Sequence, residues 1–177
     1  MGTTIKKMTA WQRSQIGTKE SPAGSNNVIY NTHYYGQPVS GDGYAWCAAY
    51  QWDGFRQLGA SELFCGGKKT AYVPTIDEWA VANGMTVQDP REGDLIIFDW
   101  NSNTIGDHIG YCVSATSTTI TTIDGNCENA VKEITRNRST VLRIIRPKYD
   151  PEPSQSSGCN TESCPILAYL KTIIKGG

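Results

Sequence analysis

DLIIFDW (Asp94–Trp100), HIGYCVSA (His108–Ala115), TTITTI (Thr118–Ile123), KEITR (Lys132–Arg136) and VLRIIR (Val141–Arg146) follow one another through the second half of this chain. Each run is short, rich in β-branched or apolar residues, and set off from the next by turn-forming residues. That pattern predicts strands, and their close succession predicts an antiparallel sheet.

The first half has a different period. Ile5–Ile16 spaces Ile5, Met8, Trp11, Gln12 and Ile16 as a partly amphipathic helix, with Gly17 as its C-cap. Ser21–Asn27 is a turn, and Val28–Tyr35 reads as a short helix or an aromatic turn. After the loop Ser40-Gly41-Asp42-Gly43, the run Trp46–Leu58 carries Trp46, Cys47, Ala49, Tyr50, Phe55 and Leu58, which predicts a buried helix ending near Gly59. A further helix is expected over Thr75–Asn83, stopped by Asn83-Gly84. Helices followed by an antiparallel sheet is the order of an α+β fold. The domain is expected to occupy residues 1–149. Asp150–Ser163 reads as a Pro/Ser linker, and Cys164–Gly177 as a tail or the start of a truncated module.

A chain of 177 residues can hold one domain with a real core and a short appendage. With 38% hydrophobic and 19% charged residues the composition is globular, and a net charge of −1 leaves no electrostatic footprint for nucleic acid. No run of about 18 apolar residues occurs, so no membrane span is expected. Met1–Met8 carries two lysines, but a polar segment follows where a signal peptide would place its apolar core. Of six cysteines, Cys47, Cys65, Cys112 and Cys127 are scattered through core segments. Cys159 and Cys164 are close enough in sequence to pair in an oxidising medium. CxxxxC without a nearby histidine is a poor match to zinc spacing, so no metal and no cofactor is expected.

The chemistry is expected at Cys47. A thiol is a good nucleophile only as a thiolate, which a helix N-terminus and an adjacent imidazolium both stabilise. Cys47 follows the Gly41–Gly43 loop and opens a predicted helix. The chain has two histidines. His33 lies in an aromatic segment, whereas His108 starts a strand after Gly106-Asp107 and is the better-placed general base. A third group should accept the other ring N–H of that imidazole. Asp124 closes the next predicted strand, and Asn126 lies two residues on, on the same side of an extended segment. Either could orient His108.

Together these segments resemble the cysteine/histidine-dependent amidohydrolase/peptidase family, or CHAP domains, a papain-like family common in bacteriophage endolysins and bacterial cell-wall hydrolases. The matching stretches are Tyr44–Tyr50 (YAWCAAY), Arg91–Phe98 (REGDLIIF), Asp107–Tyr111 (DHIGY), Thr122–Asn126 (TIDGN) and Ile145–Tyr149 (IRPKY). Glu20-Ser21-Pro22 and Ser25-Asn26-Asn27 also look like phage-lysin sequence. The resemblance covers about residues 5–149.

It implies a papain-like fold with N-terminal helices packed on an antiparallel β-sheet, and a peptidoglycan hydrolase that cleaves a wall amide bond. Cys47 would be the nucleophile, His108 the base, and Asp124 or Asn126 the orienting group, with Asp124 favoured. The bond would be either the muramoyl–L-alanine amide or one within the stem or cross-bridge peptide. Tyr35, Tyr44 and Trp100 are expected to line the substrate groove. Some relatives hold calcium in a carboxylate-rich loop before the nucleophile, where this chain offers only Asp42, so no calcium site is expected. A phage lysin would remain in the cytoplasm of the producing cell until released to the wall; a chain whose leader had been removed would be exported. Competing expectations are a secreted cysteine protease or effector acting on protein, and a non-catalytic wall-binding module. The Cys47, His108 and Asp124 set speaks against the latter, because binding needs no nucleophile.

Overall fold

The computed structural model describes residues 2–153. The expected tail, most of the expected linker, and Cys159 and Cys164 lie outside the described residues. Four α-helices precede six strands: α1 (Ile5–Ser14), α2 (Ile29–Tyr35), α3 (Cys47–Gln57), α4 (Val73–Ala82), then β1 (Thr86–Val87), β2 (Leu95–Phe98), β3 (His108–Ala115), β4 (Thr119–Cys127), β5 (Ala130–Asn137) and β6 (Val141–Ile145). The strands form one antiparallel sheet in the order β1-β6-β2-β3-β4-β5. This is the α+β architecture expected from the sequence.

The central element is α3. Every residue from Cys47 to Phe55 is buried, so the helix is enclosed by α1, α2 and the sheet. Ala48 and Ala49 keep its surface narrow. At Gly125 on β4 an added Cβ would fall 2.6 Å from the Tyr50 Cβ, so this glycine lets strand and helix backbones approach closely. The sheet side of the contact follows from period-2 alternation along β2. Leu95 and Ile97 join the α3 core, while Ile96 and Phe98 pack on the other face with Cys112, Ile120 and Ile144.

Several boundaries differ from the sequence reading for local reasons. Helix α1 ends at Ser14, and the N–H of Gly17, expected as its cap, bonds instead to the Val131 carbonyl on β5 at 3.0 Å. Helix α4 starts at Val73 because Pro74 occupies the first turn, where its fixed φ and missing N–H do no harm. Strand β4 runs through Asp124-Gly125-Asn126, a triplet that reads locally as a turn. A bulge between Asp124 and Cys127 absorbs it, with Asn126 at φ 58°. The two-residue β1 is too short to leave a periodic signal.

The REGD motif proves to be an anchor for the sheet. Asp94 is buried and accepts two bonds from Arg146, at 2.9 and 2.8 Å, and one from the Arg91 N–H. Beyond β6 the chain returns to α1: the Asp150 N–H bonds to the Thr3 carbonyl, and Glu152 accepts the Lys6 N–H at 2.9 Å. No helix among the described residues is long and apolar enough to cross a membrane.

Candidate active site

Cys47 is the first residue of α3. Trp46, at the N-cap, makes no side-chain capping bond, and the first intrahelical hydrogen bond runs from Tyr50 N–H to Trp46 O. The amides of Cys47, Ala48 and Ala49 therefore lack helical carbonyl partners, and the positive end of the helix dipole lies at the cysteine. Two polar residues hold the approach to this point. Glu20 accepts the Trp46 indole N–H at 2.8 Å and the Asn26 N–H at 2.9 Å, and Asn31 donates to the Tyr44 carbonyl at 2.7 Å. Both are buried, and neither stood out in the sequence as a positioning group.

His108 opens β3 opposite Phe98 of β2. Its Nε2 lies 3.0 Å from Oδ2 of Asp124, whose carboxylate is fully buried, while the imidazole keeps 12% of its side chain exposed. Burial is the largest influence on this imidazole and lowers its pKa. The hydrogen bond to Asp124 and the hydrogen bond and charge of Cys47 act the other way, and together they push it up to about 10. His108 thus holds its proton through neutral pH, between Asp124 and the cysteine. With Nε2 committed to Asp124, Nδ1 is the ring nitrogen left to exchange a proton with Cys47.

Asp124 carries a second partner that sequence spacing could not reveal. Arg136 Nη1 on β5 reaches the same Oδ2 at 2.6 Å and bonds Thr122 Oγ1 at 3.1 Å. The guanidinium lies over the Phe98 ring at 4.9 Å and the Trp100 ring at 5.3 Å. Oδ1 of Asp124 has no hydrogen-bond partner and occupies the space above Gly110, where any Cβ would overlap it. Gln51 of α3 ties the strand in place from behind, donating to the Ile123 carbonyl at 3.2 Å.

The structure brings Cys47, His108 and Asp124 together. It does not bring Asn126 to the imidazole: the bulge breaks the two-residue alternation, and Asn126 makes no side-chain hydrogen bond among the described residues. Trp100 stacks on Phe98 at 5.0 Å, lies 5.9 Å from the His108 ring, and is 47% exposed. Its loop is organised by Asp99, which accepts backbone N–H bonds from Asn101, Asn103 and Thr104. Tyr35 and Tyr44 meet edge to face at 5.1 Å. The other histidine, His33, bonds Asp53 at 2.9 Å, joining α2 to α3. No group of three His, Cys, Asp or Glu side chains among the described residues is arranged to hold a metal ion.

A cysteine at a helix N-terminus, facing a histidine on the sheet that is itself tied to a carboxylate, places the molecule among papain-like α+β domains. Residues 39–126 match the model of the CHAP domain family, and the chain carries a CHAP domain over that stretch, which contains Cys47, His108 and Asp124. The solved endolysin LysIME-EF1 is similar in structure, with a TM-score of 0.50 and 13% sequence identity over 84% of this chain and 66% of that one. Ly7917 is similar to the same degree, with a TM-score of 0.50 and 16% identity over 82% of this chain and 63% of that one. At such identities the likeness is one of fold. The chain spans just under two thirds of the length of each. No curated protein matches it in sequence.

Proposed function

We propose that this protein is a peptidoglycan hydrolase of the phage or prophage endolysin kind, cleaving an amide bond of the cell wall with Cys47 as nucleophile. The observation that carries the reading is the relay Cys47–His108–Asp124, with Cys47 at the start of α3 and His108 Nε2 3.0 Å from Asp124. The Cys47 thiolate attacks the carbonyl carbon of the scissile amide. The oxyanion that forms is met by unpaired amides at the start of α3. His108 Nδ1–H then protonates the leaving amine as the C–N bond breaks, which leaves a thioester on Cys47. Water, deprotonated by the now neutral His108, attacks the thioester and releases the acid. Asp124 holds the ring in register throughout and favours its charged form. Trp100, beside the His108 ring, and the Tyr35–Tyr44 pair, from the segments ahead of the nucleophile, are the aromatic groups we assign to contact with an extended substrate.

The test is digestion of purified sacculi followed by mass spectrometry of the soluble products. Wild-type protein should solubilise the wall and Cys47→Ala should not. Bare glycan among the products assigns the muramoyl–L-alanine amide, and lactyl peptides still attached to glycan assign a bond within the peptide. Cleavage of casein with intact sacculi left behind would overturn the wall reading in favour of a protein substrate.

A further inference from the structure

A groove of about 460 Å³ is lined by Gly43 and Ala45, four and two residues ahead of Cys47 in the chain, and by the segment that leads into α4. Its lining contains Lys68 and Lys69 and no acidic residue. In a chain of net charge −1 this is a local excess of positive charge rather than a general one. Lys69 Nζ lies 4.9 Å from the centre of the Tyr34 ring and 5.2 Å from that of Trp52. Aromatic faces attract an ammonium through their quadrupole but carry no net charge, so they position the cation without neutralising it. Among the described residues neither lysine forms an ion pair. The other cation at the site, Arg136, is already bound to Asp124. Tyr35 and Tyr72 also line the groove and are 40% and 66% exposed, broad apolar surfaces with a polar tip.

We propose that this groove is a subsite for the carboxylate-bearing peptide of the substrate, with Lys68 and Lys69 reading its anionic groups; this rests on the peptidoglycan reading above. A stem peptide offers the required chemistry, namely free carboxylates at a glutamyl residue and at its C-terminus, spaced by short side chains. Ammonium groups on the groove wall draw those carboxylates in, and the tyrosines cover the peptide between them. The scissile amide is thereby placed at Cys47.

The experiment uses the full chain bearing Cys47→Ala, so that binding is read without turnover. It is titrated calorimetrically with a muramoyl stem peptide in free-acid form and with the same peptide amidated at its glutamyl and terminal carboxyls. The free acid should bind roughly tenfold more tightly, the sum of two partly exposed ion pairs, and the preference should shrink as salt is raised. Lys68→Gln with Lys69→Gln should abolish the preference; both side chains are exposed, and a melting curve checks that the fold is kept. Equal affinity for the two peptides, no binding of either, or a preference that survives the double substitution would each overturn the subsite. Failure of the wild-type protein to release anything from sacculi is a separate result and bears on the proposed reaction.

Discussion

Oδ2 of Asp124 accepts a hydrogen bond from His108 Nε2 at 3.0 Å and forms an ion pair with Arg136 Nη1 at 2.6 Å, so one carboxylate oxygen serves two cations. Arg136 therefore shares the charge that favours the imidazolium. Arg136→Gln would leave a fully buried carboxylate with His108 as its remaining cation. Breaking a buried pair of this kind costs on the order of 3 kcal/mol, and the melting temperature should fall by roughly 5–10 °C. The alkaline limb of the pH–rate profile should move upward, because Asp124 then acts on His108 alone. Arg136→Lys should recover part of the stability and little of the rate, since an ammonium keeps the charge but lacks the planar guanidinium that lies over the Phe98 and Trp100 rings. A pH profile identical to wild type in Arg136→Gln would show that the arginine plays no part in tuning the histidine.

The raised pKa of His108 also ties stability to pH. The folded-state value, about 10, lies above the ordinary 6.5. The folded protein thus binds this proton more tightly, and the stabilisation is fully present below about 6.5 and is lost as pH rises through about 10. The melting temperature of the wild type should fall between pH 7 and pH 10.5, and that of His108→Gln should fall less over the same interval. Parallel curves would mean that the His108–Asp124 pair contributes nothing to stability.

Alkylation distinguishes Cys47 from its neighbours. Burial raises the thiol pKa of Cys65 and Cys127 and pushes that of Cys112 up to about 12, which leaves few thiolates at neutral pH. Iodoacetamide at neutral pH should modify Cys47 before these three, and labelling should track loss of activity. Peptide mapping that finds Cys112 or Cys65 labelled first would exclude Cys47 as the activated thiol.

Gly110 is the position most sensitive to a single added carbon. Its Cβ would overlap the Asp124 carboxylate, and Thr122 Cβ stands 3.0 Å away on the neighbouring strand. Gly110→Ala should displace Asp124 from His108, lower stability by about 1–3 kcal/mol and reduce kcat by roughly a hundredfold or more. Retention of the wild-type rate would show that the rate tolerates a shifted carboxylate.

The end of the domain can be tested by truncation. Glu152 accepts the Lys6 N–H in the first turn of α1, where a carboxylate complements the helix dipole. A chain ending at Tyr149 should melt about 2–4 °C below one ending at Pro153, the equivalent of roughly 1 kcal/mol in a domain of this size. Equal melting temperatures would mean that the exposed contact has no energetic weight.

The sequence by itself determined the α+β class and the order of helices and strands, and it singled out Cys47 and His108 as candidates, because each of these rests on local signals. Apolar period separates α1 and α3 from β2 to β6. A cysteine after a glycine loop marks a helix start, and a histidine after Gly106-Asp107 marks a strand start. Tertiary structure decided what depends on register and crossing geometry. Thr122-Ile123-Asp124-Gly125-Asn126 looks symmetrical about its glycine, yet the bulge in β4 points Asp124 at His108 and leaves Asn126 aside. Arg136 meets Asp124 only through the pairing of β4 with β5, and twelve residues of sequence separation carry no sign of it. Lys69 likewise becomes a fixed cation only when α2 and α3 bring Tyr34 and Trp52 beneath it. A sequence pattern reports the face a residue presents, whereas a charge acts on whatever the fold sets within a few ångströms of it.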